Sequence, residues 1–233
     1  MTGLELANDV GKDTRDTDHI QYPLTEKLTY IKRGVRVITV RLAAMGHPMV
    51  CKLATTGSED WSATVTPGQS GVELPSDYLT TFSLFIVGQE SPGPLGLVAP
   101  AERFSLTGSQ PQGYYIMGGA VGAPTLHLVP APAEAMDLSL HYAALPAFCQ
   151  LSEPASEEAA RAQLDQELPF GRVFFEAMRQ WVALCCLNRN EYDTSVEQGL
   201  WKLCQDQAQQ LADLDNLQSW GPAGGADSNW GGR

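Results

Sequence analysis

No run of apolar residues approaches the ~18 that a membrane span needs, so no span is expected. Cysteine and positive charge are both scarce. The chain has five cysteines in 233 residues. Cys185, Cys186 and Cys204 fall in helix-like segments, the pattern of reduced, core-filling thiols and not of a disulfide framework. Lysine and arginine number 15 against 27 aspartates and glutamates, for a net charge of −12. A nucleic-acid binder needs a basic stripe to neutralise phosphates, so this balance argues against one. It suits a surface that DNA slides past without sticking. The first 19 residues contain no apolar h-region, and no signal peptide is expected. There is no G-x-S-x-G, H-E-x-x-H or C-x-x-C. The GGAVG run at 118–122 lacks the Walker lysine and hydroxyl and leads into Ala-Pro and a strand, so it reads as a hairpin turn. Neither a cofactor nor an enzymatic activity is expected.

What the chain does have is periodicity. In 113–146, short runs alternate apolar and polar residues between Gly- and Pro-rich breaks. Leu126 and Leu128 share a face opposite Thr125 and His127; Met136, Leu138, Leu140 and Tyr142 share one opposite Asp137, Ser139 and His141. A two-residue period is the mark of a half-buried strand. Further strands are expected at 49–55, 61–66 and 81–87, with one or two more in 97–107 and a tight turn at Pro75-Ser76-Asp77. Six to eight strands between about 49 and 144 form a small antiparallel sandwich or barrel.

Helical periodicity lies on either side. Leu28, Ile31, Val35, Ile38 and Leu42 recur at three- and four-residue steps, with Thr25 as N-cap and Gly46 and Pro48 ending the run. After Pro146, Ser152 or Ser156 caps a helix with acidic residues in its first turn. Val173, Ala177, Met178, Trp181, Leu184 and Cys185 make one further helical face. Val196, Leu200, Leu203, Leu211 and Leu214 make another, capped by Asp193 or Thr194. The resulting class is α+β: a helical bundle from 21–48 and 147–217, with an antiparallel β domain inserted at 49–146. Residues 1–20 read as a flexible arm, and 218–233 as an extended Gly-rich tail.

Candidate chemistry is sparse. His127 and His141 lie on polar strand faces and, with Asp137, define a conceivable acid–base or hydrolytic cluster. Two histidines lack the ligand set of a zinc site, and surface histidines are the plainer reading. Trp61, Tyr114 and Tyr115 define a conceivable sugar-stacking platform, with one of the two tyrosines pointing inward. Glu157 and Glu158 serve the dipole of their own helix start. Trp220 and Trp230 stand apart: in a Gly-rich tail they are either free or anchors for a partner.

The order of these elements carries a resemblance. An amphipathic first helix precedes a β insert with LPSDYL at 74–79, YYIMGG at 114–119, TLHLVPAP at 125–132 and LSLHYAALP at 138–146. A closing helix pair follows. Over roughly 20–217 this resembles the head-to-tail adaptor (connector) proteins of tailed bacteriophages. The resemblance implies a structural virion protein at the head–tail junction, made in the host cytoplasm. It implies a homo-oligomeric ring, a dodecamer, that binds the portal protein, docks tail or neck proteins and continues the DNA channel without sequence-specific binding. It also implies that the C-terminal segment grips the portal, which makes Trp220 and Trp230 candidate portal-binding residues. A β-rich glycan- or ligand-binding module of a phage tail or receptor-binding apparatus is the alternative.

Overall fold

The computed structural model describes residues 1–69, 71–89, 93–99, 101–118, 123–170 and 173–188, with Lys202, Asp206, Gln209 and Gln210 as further helical positions. In chain order the elements are α1 (Gly3–Asp13), α2 (Leu24–Ala44), a 3-10 turn (Pro48–Val50), β1 (Cys51–Thr55), β2 (Gly71–Glu73) and β3 (Tyr78–Ile86). Then follow β4 (Gly96–Leu97), β5 (Gly113–Met117), β6 (Thr125–Val129), β7 (Leu138–Ala144), α3 (Ala147–Gln150), α4 (Glu157–Leu164) and α5 (Phe175–Leu187). The chain divides into two compact units, Met1–Gly34 with Pro154–Arg233, and Val35–Glu153.

The first unit is helical. Its opening segment is not the flexible arm expected over 1–20 but the helix α1. Thr2 caps it: the Thr2 hydroxyl accepts from the Glu5 N–H at 3.2 Å, and the Glu5 carboxylate accepts from the Thr2 N–H at 2.9 Å. This reciprocal capping box satisfies two of the donors that a helix start leaves open. Leu6, Ala7 and Val10 are fully buried, and Gly3 donates its N–H to the Gln166 carbonyl at 3.1 Å. The helix is therefore held by its cap and by tertiary packing, which the glycines in its sequence do not advertise.

Helix α2 follows the expected stripe, and Leu28, Ile31, Val35, Ile38 and Leu42 are all buried. Its cap differs from expectation. Thr25 lies inside the helix, and the open N-terminal donors are met by Glu157 of α4. That carboxylate accepts from the Leu24 N–H (2.8 Å), the Thr25 N–H (3.3 Å) and the Thr25 hydroxyl (2.8 Å). Ser156 caps α4 as expected, accepting from the Ala159 N–H at 3.2 Å. Within this unit α5 buries Ala177, Met178, Trp181, Val182 and Cys186, and the Trp181 indole N–H donates to the Tyr30 carbonyl at 3.3 Å. The helix expected over 194–217 lies outside the described residues, apart from the four helical positions named above.

Among the described residues the second unit holds two small sheets and no closed barrel. β1-β7-β3 are antiparallel; in β2-β6-β5-β4, only the β4–β5 pair is parallel. One core serves both sheets. Ala54, Leu84, Ile86, Leu138, Leu140 and Tyr142 come from the first, and Val72, Tyr114, Leu126 and Leu128 from the second. These are the alternate residues of each strand, so the period-two pattern sets which face points inward. β5 and β6 are antiparallel neighbours with Met117 opposite Thr125; the GGAVG run expected to turn between them lies, apart from Gly118, outside the described residues. The Pro75-Ser76-Asp77 turn is present, with the Tyr78 N–H donating to the Pro75 carbonyl at 3.0 Å.

Two expected strands shrink. Residues 61–66 contribute only an isolated bridge between Val65 and Met136. Trp61 is buried, and its indole N–H donates to the Glu73 carbonyl at 2.6 Å. That side-chain bond fixes the segment without a ladder. In 97–107, β4 accounts for one position, Leu97, and the other described residues form no strand.

Candidate functional site

Each sheet of the second unit has an outer face opposite the shared core, and the candidates His127, Tyr115 and His141 fall on these two faces. On the four-stranded sheet, register places Gly71, His127 and Tyr115 side by side. The His127 and Tyr115 rings stack at 4.9 Å with an interplanar angle of 8°. The Arg103 guanidinium lies 6.0 Å from the Tyr115 ring centroid and 4.6 Å from that of Phe104. Offset stacking and cation–π attraction account for this order. Histidine, tyrosine, arginine and phenylalanine thus form one column, which ends in a Phe104 side chain that is 79% exposed. Arg103 makes no ion pair among the described residues, and its Nε has no hydrogen-bond partner.

On the three-stranded sheet, register places Leu53, His141 and Ser83 side by side, with Phe85 on the same face. Phe85 meets His141 edge-on at 5.9 Å. Leu53 and Val87 are 54% and 46% exposed. His127 and His141 therefore belong to different sheets, and no hydrolytic cluster with Asp137 is assembled. Trp61, Tyr114 and Tyr115 are all buried. Tyr114 points into the core, as expected of one of the two tyrosines, while Tyr115 points away from it and lies under Arg103. None of the three rings offers a sugar a free face, so the glycan-platform reading loses its residues. Among the described residues there is no group of three or more metal-ligating side chains, and no helix is long and apolar enough to cross a membrane.

Polar networks elsewhere hold structure. In the second unit the Asp77 carboxylate accepts from the Tyr142 hydroxyl at 2.8 Å and from Lys52 Nζ at 3.1 Å; Lys52 also reaches Asp60 at 2.8 Å. Burial, followed by the bond to Asp77, pushes the Tyr142 phenol well above its usual range. In the first unit Lys27 is fully buried. Its Nζ lies 3.5 Å from Asp16 and 2.7 Å from His19 Nδ1, while His19 Nε2 lies 3.1 Å from Asn8 Oδ1. Burial first, then the Lys27 charge, lowers the His19 pKa. Its ring is neutral, accepting from Lys27 at Nδ1 and donating to Asn8 at Nε2. For Asp16, burial would raise the pKa, but N–H donors from Gln21, Tyr22 and Ile20, with Lys27, together bring it below the usual range. Sequence reasoning missed this network because no spacing rule links a loop aspartate to a lysine on the next helix. Burial pushes the Cys186 thiol up to about 12, the inert, core-filling state expected of it. A cleft of about 430 Å³ runs along α1, lined by Glu5, Asp9, Lys12 and Phe175 among others. Its lysine is already paired with Asp9 at 2.6 Å.

The fold is α+β, with N-terminal helices packed with C-terminal helices and two small sheets in the middle of the chain. The family model described as SU10 adaptor protein matches residues 1–226, and the chain belongs to that family of phage head-to-tail adaptors. No curated protein sequence matches the chain. As a family member it is a structural, non-enzymatic virion component that joins head and tail by contacts with portal and tail proteins. Trp220 and Trp230, the candidate portal-binding residues, lie outside the described residues.

Proposed function

We propose that the protein assembles as a dodecameric ring beneath the portal, extends the DNA channel and gives the tail its docking surface. The family match over residues 1–226 carries this reading. The net charge of −12 supports it, since an acidic channel wall gives phosphates nothing to hold. A cyclic ring repeats one heterologous interface around its axis, which needs two different surfaces on each subunit; the two outer sheet faces supply two of different character. The segment 218–233 grips the portal through Trp220 and Trp230, the residue type most enriched among interface anchors.

Co-sedimentation with the portal ring of the same virus tests the proposal, using the full chain beside a version ending at Gln218. Saturable binding at one copy per portal subunit, weakened by the truncation, is the expected result. Binding that survives truncation unchanged removes the tail from the contact. Absence of binding at any salt concentration overturns the ring beneath the portal.

A further inference from the structure

The ring reading leaves open which surfaces of neighbouring copies meet, and the following assignment rests on that reading. We infer that the Arg103–Phe104 projection on the four-stranded sheet of one copy docks against the Leu53–Phe85–Val87 face on the three-stranded sheet of the next.

Both surfaces are built from register and not from chance exposure. The projection is stiff for a loop residue, because Arg103 is clamped over Tyr115, which is itself stacked on His127. On the far side of His127, a Cβ added at Gly71 would meet its Cε1 at 3.0 Å, so the column is closed against backbone there. Phe104 is 79% exposed, and Met117, on the outward side of β5, is 52% exposed. A preordered aromatic side chain loses little freedom on docking, the economy that interface anchors share.

The receiving face is apolar at its centre, with Leu53, Phe85 and Val87. Its edge carries a carboxylate: the Val87 N–H donates to the Asp137 carbonyl at 2.9 Å, which sets the exposed Asp137 next to Val87. Arg103 brings a cation with no ion pair among the described residues to a chain that carries almost twice as many acids as bases. The charges at the two surfaces are therefore complementary, arginine beside phenylalanine on one and aspartate beside valine on the other. Glu102 is exposed next to Arg103, so the sign at the projection depends on the guanidinium being the group that faces inward to the contact.

The shared core lies between the two sheets, so the two surfaces are on opposite sides of the β unit. A copy cannot satisfy both with one partner. Complementary patches on opposite sides propagate, closing into a ring when the rotation allows and running on as a filament when it does not. The occupant of each face is accordingly a second copy of this chain.

Cys51 makes the test direct, because it is exposed and two residues from Leu53 on the outward side of β1. Full-length Ser105→Cys, which puts a thiol at the exposed position next to Phe104 and keeps the anchor, is treated with a short bis-maleimide, alone and on the portal ring, and negative-stain images record independently whether rings form. The expected result is a ladder of covalent multimers beyond the dimer, lost when Cys51→Ser is added. A ladder that survives Cys51→Ser overturns the assignment, as does a ladder that stops at the dimer. Rings without a ladder overturn the assignment and leave the ring reading standing. A ladder with filaments and no rings keeps the contact and overturns the ring. Neither rings nor ladder overturns both. Leu53→Asp, at an exposed position, is the second arm. It should lower the assembled fraction at least tenfold with an unchanged circular dichroism spectrum, whereas unchanged assembly would sink the contact.

Discussion

At the residue scale, buried charge is concentrated where α1, its following loop and α2 meet, and the pairing there is asymmetric. Asp16 accepts from three backbone N–H groups as well as lying near Lys27. Among the described residues Lys27 has only Asp16 as counter-ion. Removing one member of a buried pair costs about 3–5 kcal/mol when it strands the other charge. We therefore expect Asp16→Ala to destabilise by about that amount. Lys27→Met should cost clearly less, since Asp16 keeps its N–H donors. Urea unfolding of both variants checks the order, and an equal loss would refute it. The same site sets a pH dependence. Neutral His19 has a folded pKa below its unfolded value of about 6.5. Its share of stability is complete above that value and is lost as pH falls below it. Asp16 and Glu157 are depressed carboxylates. Their share is present above their unfolded values and is lost as pH falls through the folded ones. Both effects have one sign, so the urea midpoint should fall in two stages, first below about pH 6.5 and again below about pH 4. His19→Gln should abolish the first stage only. In the second unit, Asp77→Ala leaves the Tyr142 hydroxyl without its acceptor, with an expected cost of about 1–3 kcal/mol in the same assay.

At the scale of elements, α1 and α2 show what the sequence made readable and what it hid. The stripe of α2 was legible because Leu28, Ile31, Val35, Ile38 and Leu42 hold a helical period over four turns. The strands β6 and β7 were legible for the same reason at period two, and the antiparallel insert with them. Helix α1 was hidden because Gly3 and Gly11 read as breakers. In the structure they are close-approach positions: a Cβ at Gly11 would meet the Asp16 carbonyl oxygen at 2.9 Å, and one at Gly34 would meet the Met178 sulfur at 2.8 Å. These two contacts predict opposite outcomes for one substitution. Glycine costs a helix interior about 1 kcal/mol relative to alanine. Gly34→Ala should recover part of that, because a flexible thioether gives way; Gly11→Ala should instead destabilise, because backbone does not. Thermal unfolding of the pair decides it, and two melting temperatures shifted the same way would contradict the reading. The candidate sites were less legible than the fold. His127 and His141 share the same polar alternation in sequence, and only the assignment of β6 and β7 to different sheets separates them. Arg103 and Phe104 sit in a stretch with no period at all, so their column became visible only once Tyr115 had a register.

At the scale of the whole molecule, the acid excess should keep the protein off DNA. No measurable retention of duplex DNA is expected at physiological salt, and tight, salt-sensitive binding would count against an acidic channel wall.

The carboxylate that caps α2 lies 133 positions from the backbone it serves. During synthesis, Leu24 and Thr25 leave the ribosome long before Glu157 does, while the second unit is one uninterrupted stretch, Val35–Glu153. Domains fold as they become complete. The β unit is therefore the first part able to finish, and the first helices wait, their opening donors in water, for the chain to return. A released chain ending at Glu153 should hold a protease-resistant β unit with a digestible N-terminal segment. Protection of that segment in the absence of Glu157 would show that α2 starts without its distant cap.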